Sequence, residues 1–158
     1  MNLGIQQLKV LKKASQETLC FECIVTVDGV DAFVATNSGQ GGGNSYHAVR
    51  GGSYQTIRDA EAYAASLPPA HYDEMEIAMD LDILIGDLIG SEMVAKDYRR
   101  DIRRNVVYQH EGQIWMSQVT PPHTHIALIA AVKKKYPDSI VLNELTEAEA
   151  VKILSSTK

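Results

Sequence analysis

The stretch TLCFECIVTVDGVDAFVAT, residues 18–36, decides the fold class of this chain. Thr18 to Val27 is rich in β-branched and aromatic residues, the composition of a central strand. Asp28-Gly29 follows, and both middle positions of the tightest hairpin turn need a positive φ, which Asp and Gly tolerate. Val30 to Thr36 then reads as the returning strand. Upstream, Leu8 and Val10 alternate with Gln7 and Lys9, so Leu3 to Val10 is read as a strand rather than a helix.

Downstream, Asn37-Ser-Gly-Gln-Gly-Gly-Gly-Asn-Ser-Tyr-His47 places four of the eleven glycines within five positions. Glycine permits positive φ and close backbone approach at an entropic cost, so such a density calls for a structural or functional reason. A helix is expected next. Ser53 serves as its N-cap, Ile57, Ala60, Ala64 and Leu67 keep helical spacing, and Pro68-Pro69 stops it.

After an acidic connector, a longer helix is expected from about Asp80 to Arg104. Its core stripe runs Leu84, Leu88, Ser91, Ala95, Tyr98 and Ile102. Gly86 and Gly90 on it cost roughly 1 kcal/mol each relative to alanine, which suggests close packing of another element there. Asn105 to Tyr108 and Ile114 to Val119 form a second hairpin through Glu111-Gly112. Thr120-Pro121 reads as a cap followed by proline in the first helical turn, opening a helix that ends before Pro137. A short strand, Ser139 to Leu142, and a helix opened by the capping box Thr146-Glu-Ala-Glu149 complete the chain. The sum is an α+β protein, one domain over 1–158, with a mainly antiparallel sheet from two β-hairpins and three to four helices on one face.

Composition excludes several classes. At 158 residues, 45% hydrophobic and 22% charged, the chain can bury a core without disulfides or metal. The first twenty residues carry lysines and glutamines instead of an apolar signal region, and Ile126 to Val132 is too short to span a bilayer. A cytoplasmic location, inside a bacterial host, is the expectation. Cys20 and Cys23 have odd spacing along a strand, poor geometry for a bridge, and read as two reduced, buried thiols. A net charge of −5 argues against a general nucleic-acid binder. The charge is uneven, however. No lysine or arginine lies between Arg58 and Lys96, while nine acids from Asp59 to Glu92 do. The carboxylates of the 73–92 segment read as a solvated acidic face, one able to present a polyanion to a basic host protein.

The glycine run is neither a Walker loop nor a Rossmann fingerprint, because no Gly-Lys-Ser/Thr follows and no βαβ unit surrounds it. Exposed backbone amides can still form an anion-binding nest, and the start of the Ser53 helix adds its positive end. The candidate ligand-binding residues are therefore Asn37, Gly39, Gly41, Gly42, Gly43, Asn44, Tyr46, His47 and Ser53. Lys96, Arg99, Arg100, Arg103 and Arg104 offer an alternative phosphate-contact patch, with Asp97 and Asp101 spaced to neutralise part of it. His123 and His125 do not share a helical face and make a poor zinc pair, so neither metal nor cofactor is expected. Ser45 and His47 lack a nucleophile-elbow context, and no catalytic residue is assigned.

The combination Phe21-x-Cys23-x-Val25-x-Val27-Asp28-Gly29, then Asn37-x-Gly39-x-Gly41-Gly42-x-Asn44-x-Tyr46-His47, resembles a group of small, uncharacterised phage and prophage proteins. Members carry Asn-Asp-Gly where this chain has Asn37-Ser38-Gly39. The resemblance implies a viral origin and no catalytic residues. The functional expectation is thus a phage-type accessory protein that binds a host protein or a nucleotide-like ligand, with counter-defence as one role. A nucleic-acid-associated protein using the arginine-rich helix end is the alternative, and a small enzyme centred on Ser45 and His47 the third reading.

Overall fold

Strands β1 (Leu3–Val10), β2 (Phe21–Val27), β3 (Val30–Asn37) and β4 (Ser45–Ala48) form an antiparallel sheet in the order β1-β2-β3-β4. The computed structural model describes residues 1–72 and 75–157, and its backbone packing divides into two compact units, 1–90 and 91–158. The glycine run does not lead straight into a helix, as its sequence suggests. It joins β3 to β4, pairing Thr36 with Ser45 and Phe33 with Ala48. Strand β4 has no β-branched residue, and only its partner reveals it.

The first hairpin forms as expected, with Asp28 at φ 50° and Gly29 at φ 83°. An irregularity lies just beyond it. Thr26 pairs with Asp31 and Val25 with Phe33, leaving Ala32 as an extra residue. This bulge lets both Ala32 and Phe33 be buried although they are neighbours in sequence. Phe21, Cys23 and Val25 of β2 are buried along with Phe33 and Ala35 of β3.

Helix α1 (Tyr54–Ala65) is capped by Ser53, whose side chain accepts from the amide of Gln55, and it packs on β3 and β4 through buried Ile57, Ala60 and Ala64. The acidic connector contains a small hairpin of β5 (Ala70–Tyr72) and β6 (Met75–Ile77). Asp73 and Glu74 of the acidic run lie outside the described residues.

Helix α2 (Leu81–Asp101) contributes Leu81–Gly90 to the first unit and its remainder to the second. Its buried residues in the first unit are Leu81, Ile85 and Ile89, not the expected Leu84 and Leu88. Both stripes obey helical spacing, and tertiary packing selects between them. In the second half Ala95 and Tyr98 are buried as expected, Ile102 is half-buried and Ser91 is exposed. Gly86 and Gly90 are exposed with nothing close among the described residues, so the expected tight packing there is not found. The helix also ends before Arg103 and Arg104, which sit in the following turn.

In the second unit, β7 (Asn105–His110) pairs with β8 (Gln113–Gln118) and with the short β9 (Ile140–Val141), in the order β8-β7-β9. The turn residues Glu111 and Gly112 both have positive φ, 51° and 74°. Alternation along β7 splits the core in two. Val107 packs with Tyr98, Leu142 and Ala150, while Val106 and Tyr108 pack with Val132 and Val141. Helix α3 (His125–Lys135) therefore lies on one face of this sheet, with α4 (Glu147–Ser156) and the end of α2 on the other.

Thr120 does not cap α3. Thr124 does, accepting from the amide of Ala127 at 3.3 Å. Pro122 disfavours helical geometry at Pro121, so the helix starts past both prolines. The Thr146–Glu149 capping box forms as read. The fold class is α+β with hairpin-built antiparallel sheets, the strands being divided among three sheets rather than gathered in one.

Candidate functional site

The glycine loop is folded onto itself by side chains the sequence places at its ends. Asn37 Oδ1 accepts from the amide of Gly39 at 2.9 Å and from Thr18 Oγ1 at 2.7 Å. Asn37 Nδ2 donates to Asn44 Oδ1 at 3.0 Å and to the carbonyls of Gly42 and Gly43. The Gly41 amide donates to Thr18 Oγ1, and the Asn44 amide donates to Asp82 Oδ2 at 3.0 Å. Three amides expected to face outward are thus bonded inside the protein. Only Gly42 and Gly43 keep an exposed position among the four loop glycines.

Carboxylates surround this loop. A Cβ on Gly41 would fall 2.5 Å from Glu17 Oε2, and one on Gly43 2.8 Å from Asp82 Oδ2. Two negative charges at van der Waals range oppose a phosphate at the loop itself, whatever its free amides offer. A space that can take a ligand lies instead between β4 and the start of α1. Tyr46, Tyr54, Ile57, Arg58 and Glu61 line a cleft of about 310 Å³ there.

Each wall has a structural cause. Tyr46 is locked: its hydroxyl donates to Asp82 Oδ1 at 2.5 Å and accepts from Asn44 Nδ2 at 3.2 Å. Its ring meets Phe33 edge to face with centroids 5.7 Å apart. Burial, then the bond to Asp82, pushes the Tyr46 phenol well above its ordinary value and keeps it neutral. Tyr54, 64% exposed, and Arg58 are one helical turn apart on α1, and Glu61 is three residues further on. The first turn of α1 holds no acid of its own.

The sequence-derived site is therefore partly assembled. Asn37, Gly39, Gly41 and Asn44 build the loop, Tyr46 lines the cleft, and Ser53 is occupied in capping. His47 is exposed on β4, on the strand side shared with Ser45 and opposite to Tyr46. Sequence reasoning missed Tyr54, Arg58 and Glu61, although their spacing behind a recognised N-cap places them on one face. Asp82 had no such signal, because its partnership with residues 44 and 46 is purely tertiary.

The arginine-rich patch is dispersed by neutralisation. Arg99 is held by Glu92 at 2.5 Å and Glu147 at 2.7 Å, and Arg100 by Asp97 at 2.8 Å and Asp101 at 3.1 Å. Lys96, Arg103 and Arg104 are the members of that cluster with no ion pair among the described residues. No group of three or more His, Cys, Asp or Glu side chains among the described residues is arranged to hold a metal ion. No described helix is long and apolar enough to cross a membrane.

The two thiols differ. Cys20 is partly exposed and Cys23 is buried, and both are free. Burial, helped by the charge of Glu22, pushes the Cys23 thiol from 9.0 up to about 11. Between those values the unfolded chain has lost a proton that the folded chain keeps, so stability falls as pH rises through that window. The slope approaches about 1.4 kcal/mol per pH unit. Urea unfolding between pH 8 and pH 10 should show this loss in the native chain and a smaller one in Cys23→Ala. A thiol reagent at pH 8 should modify Cys20 first and reach Cys23 only after unfolding. Equal modification rates for the two would contradict the assignment.

No protein-family model, curated protein or solved structure matches this chain. Fold and site together define an α+β protein with a half-polar cleft braced by a glycine-rich hairpin loop.

Proposed function

We propose that this is a phage-type accessory protein that acts in the bacterial cytoplasm by holding a nucleotide-like ligand, with counter-defence as the role such sequestration serves. The supporting observation is the cleft at the start of α1, where an exposed tyrosine, an arginine without an ion pair among the described residues, and a glutamate converge beside the fixed Tyr46. The chemistry divides naturally among them. The face of Tyr54 stacks a flat ring, the Arg58 guanidinium meets a phosphate in a two-pronged contact, and Glu61 accepts from sugar hydroxyls. Tyr46 and Ile57 form the unmoving wall.

This reading assigns binding rather than turnover, since Ser45 and His47 stand on the opposite side of β4 from Tyr46. Titration with a panel of mono-, di- and cyclic nucleotides, read by thermal shift and calorimetry, tests it. At a hundredfold excess over Kd the folded state gains about 2.7 kcal/mol. Arg58→Ala and Tyr54→Ala should each weaken binding about tenfold or more without changing the circular dichroism. If no nucleotide at millimolar concentration moves the melting temperature, the proposal fails.

A further inference from the structure

Strand β8 is an edge strand, the outermost in the order β8-β7-β9, where charge, proline or a bulge would ordinarily guard against further pairing. Its sequence, Gln-Ile-Trp-Met-Ser-Gln over Gln113–Gln118, has no charge and no proline, and its pairing with β7 runs from His110↔Gln113 to Asn105↔Gln118 without a bulge. Trp115 is 49% exposed and Met116 58%. Charge returns only at the two ends. Glu111, with its side chain 85% exposed, stands in the turn before the strand. Arg103 and Arg104 are exposed at the far end, where the Arg104 carbonyl accepts from the Val119 amide at 2.8 Å.

We infer that β8 pairs antiparallel with β8 of a second copy of this chain, forming a two-fold dimer with a continuous six-stranded sheet. The two-residue turn fixes which backbone groups are free. His110 and Gln113 close the hairpin, so in an antiparallel ladder Ile114, Met116 and Gln118 direct their amides and carbonyls outward. A pairing centred on Trp115 sets Ile114 opposite Met116 of the second copy and the two Trp115 rings against each other across the axis. It also carries the Arg104 end of one strand to the Glu111 end of the other, twice by symmetry. The neutral strand brings no like charges together, and the ends are complementary. A second copy supplies the matching opposite charges at both ends by symmetry, whereas a foreign peptide has to bring its own.

Ile114 and Met116 also wall an apolar cleft of about 200 Å³ with Val94, Tyr98, Val107 and Leu154. Dimerisation would extend that wall with the second copy's own apolar pair, since both stand on the same sheet face.

Trp115 is the single tryptophan, so its emission reports this edge alone. Sedimentation equilibrium of the full chain over a concentration series should show the mass rising to twice that of one chain. The Trp115 emission should shift to shorter wavelength over the same range. Met116→Pro removes an outward amide without touching a β7 bond and should weaken association roughly a hundredfold. Glu111→Arg should weaken it roughly tenfold, and the double variant Glu111→Arg with Arg104→Glu should restore it. A chain that stays monomeric to 1 mM (about the highest concentration such measurements reach) overturns the inference. So does a dimer whose Trp115 emission is unchanged, or one that is indifferent to both the proline and the charge exchange.

Discussion

Replacing Gly39 with alanine is expected to cost about 3 kcal/mol or more, while the same change at Gly42 costs only about 1 kcal/mol. Both glycines have positive φ, +81° and +88°, so both changes incur the left-handed backbone penalty of an L-residue. They differ in surroundings. A Cβ on Gly39 would collide with the carbonyl oxygen of Ala14 and sit 2.7 Å from Cys20 Cβ, whereas one on Gly42 meets nothing within 4 Å. The Gly39 carbonyl also accepts from the amides of Gln16, Glu17 and Thr18 at 2.8, 3.1 and 3.4 Å. Any shift that relieves the collision therefore strains the segment between β1 and β2. Urea unfolding of the two variants measures the difference. Equal costs would mean that backbone conformation alone explains the glycine and that the close approach is not rigid.

The second large effect belongs to Phe33. It is fully buried, paired with Val25 and Ala48 across two strand partners, and it supports the ring of Tyr46. Phe33→Ala should destabilise the protein by about 3–5 kcal/mol, through lost transfer energy and the cavity left behind. Against a typical stability of about 5–15 kcal/mol, that is a large share. Phe33→Leu keeps most of the volume and should cost about 1 kcal/mol. Denaturant midpoints give both values. A loss below about 1 kcal/mol for the alanine variant would show that the strands collapse onto the vacancy. Because Tyr46 rests on Phe33, the alanine variant should also weaken any ligand of the cleft more than the leucine variant does.

These two positions show where reading the chain succeeds and where it stops. Asp28-Gly29 and Glu111-Gly112 are legible because a positive φ at two adjacent residues admits few side chains, and both turns form as read. Ser53 and the Thr146–Glu149 pair are legible because capping is local hydrogen bonding. Thr120 has the same local chemistry, but the prolines after it keep the chain out of helical geometry and the cap falls on Thr124 instead. The glycine loop is legible as unusual, but what approaches its backbone is not. Its composition signals positive φ and close approach equally for a ligand or for the protein's own backbone. The approaching groups proved to be Ala14, Glu17 and Asp82.

The sequence by itself determined the local geometry: the strands rich in β-branched residues, both hairpin turns, the long helices with the caps of two of them, Ser53 and Thr146, and the density of glycine between residues 39 and 43. Each follows from interactions a few residues apart. Only the tertiary structure decided that β4 exists, that Asp82 closes the loop from 36 residues away, and that Arg99 is held by Glu147 from 48. Those contacts join segments with no periodic relation in the chain, and packing alone chooses among the many partners that local chemistry would allow.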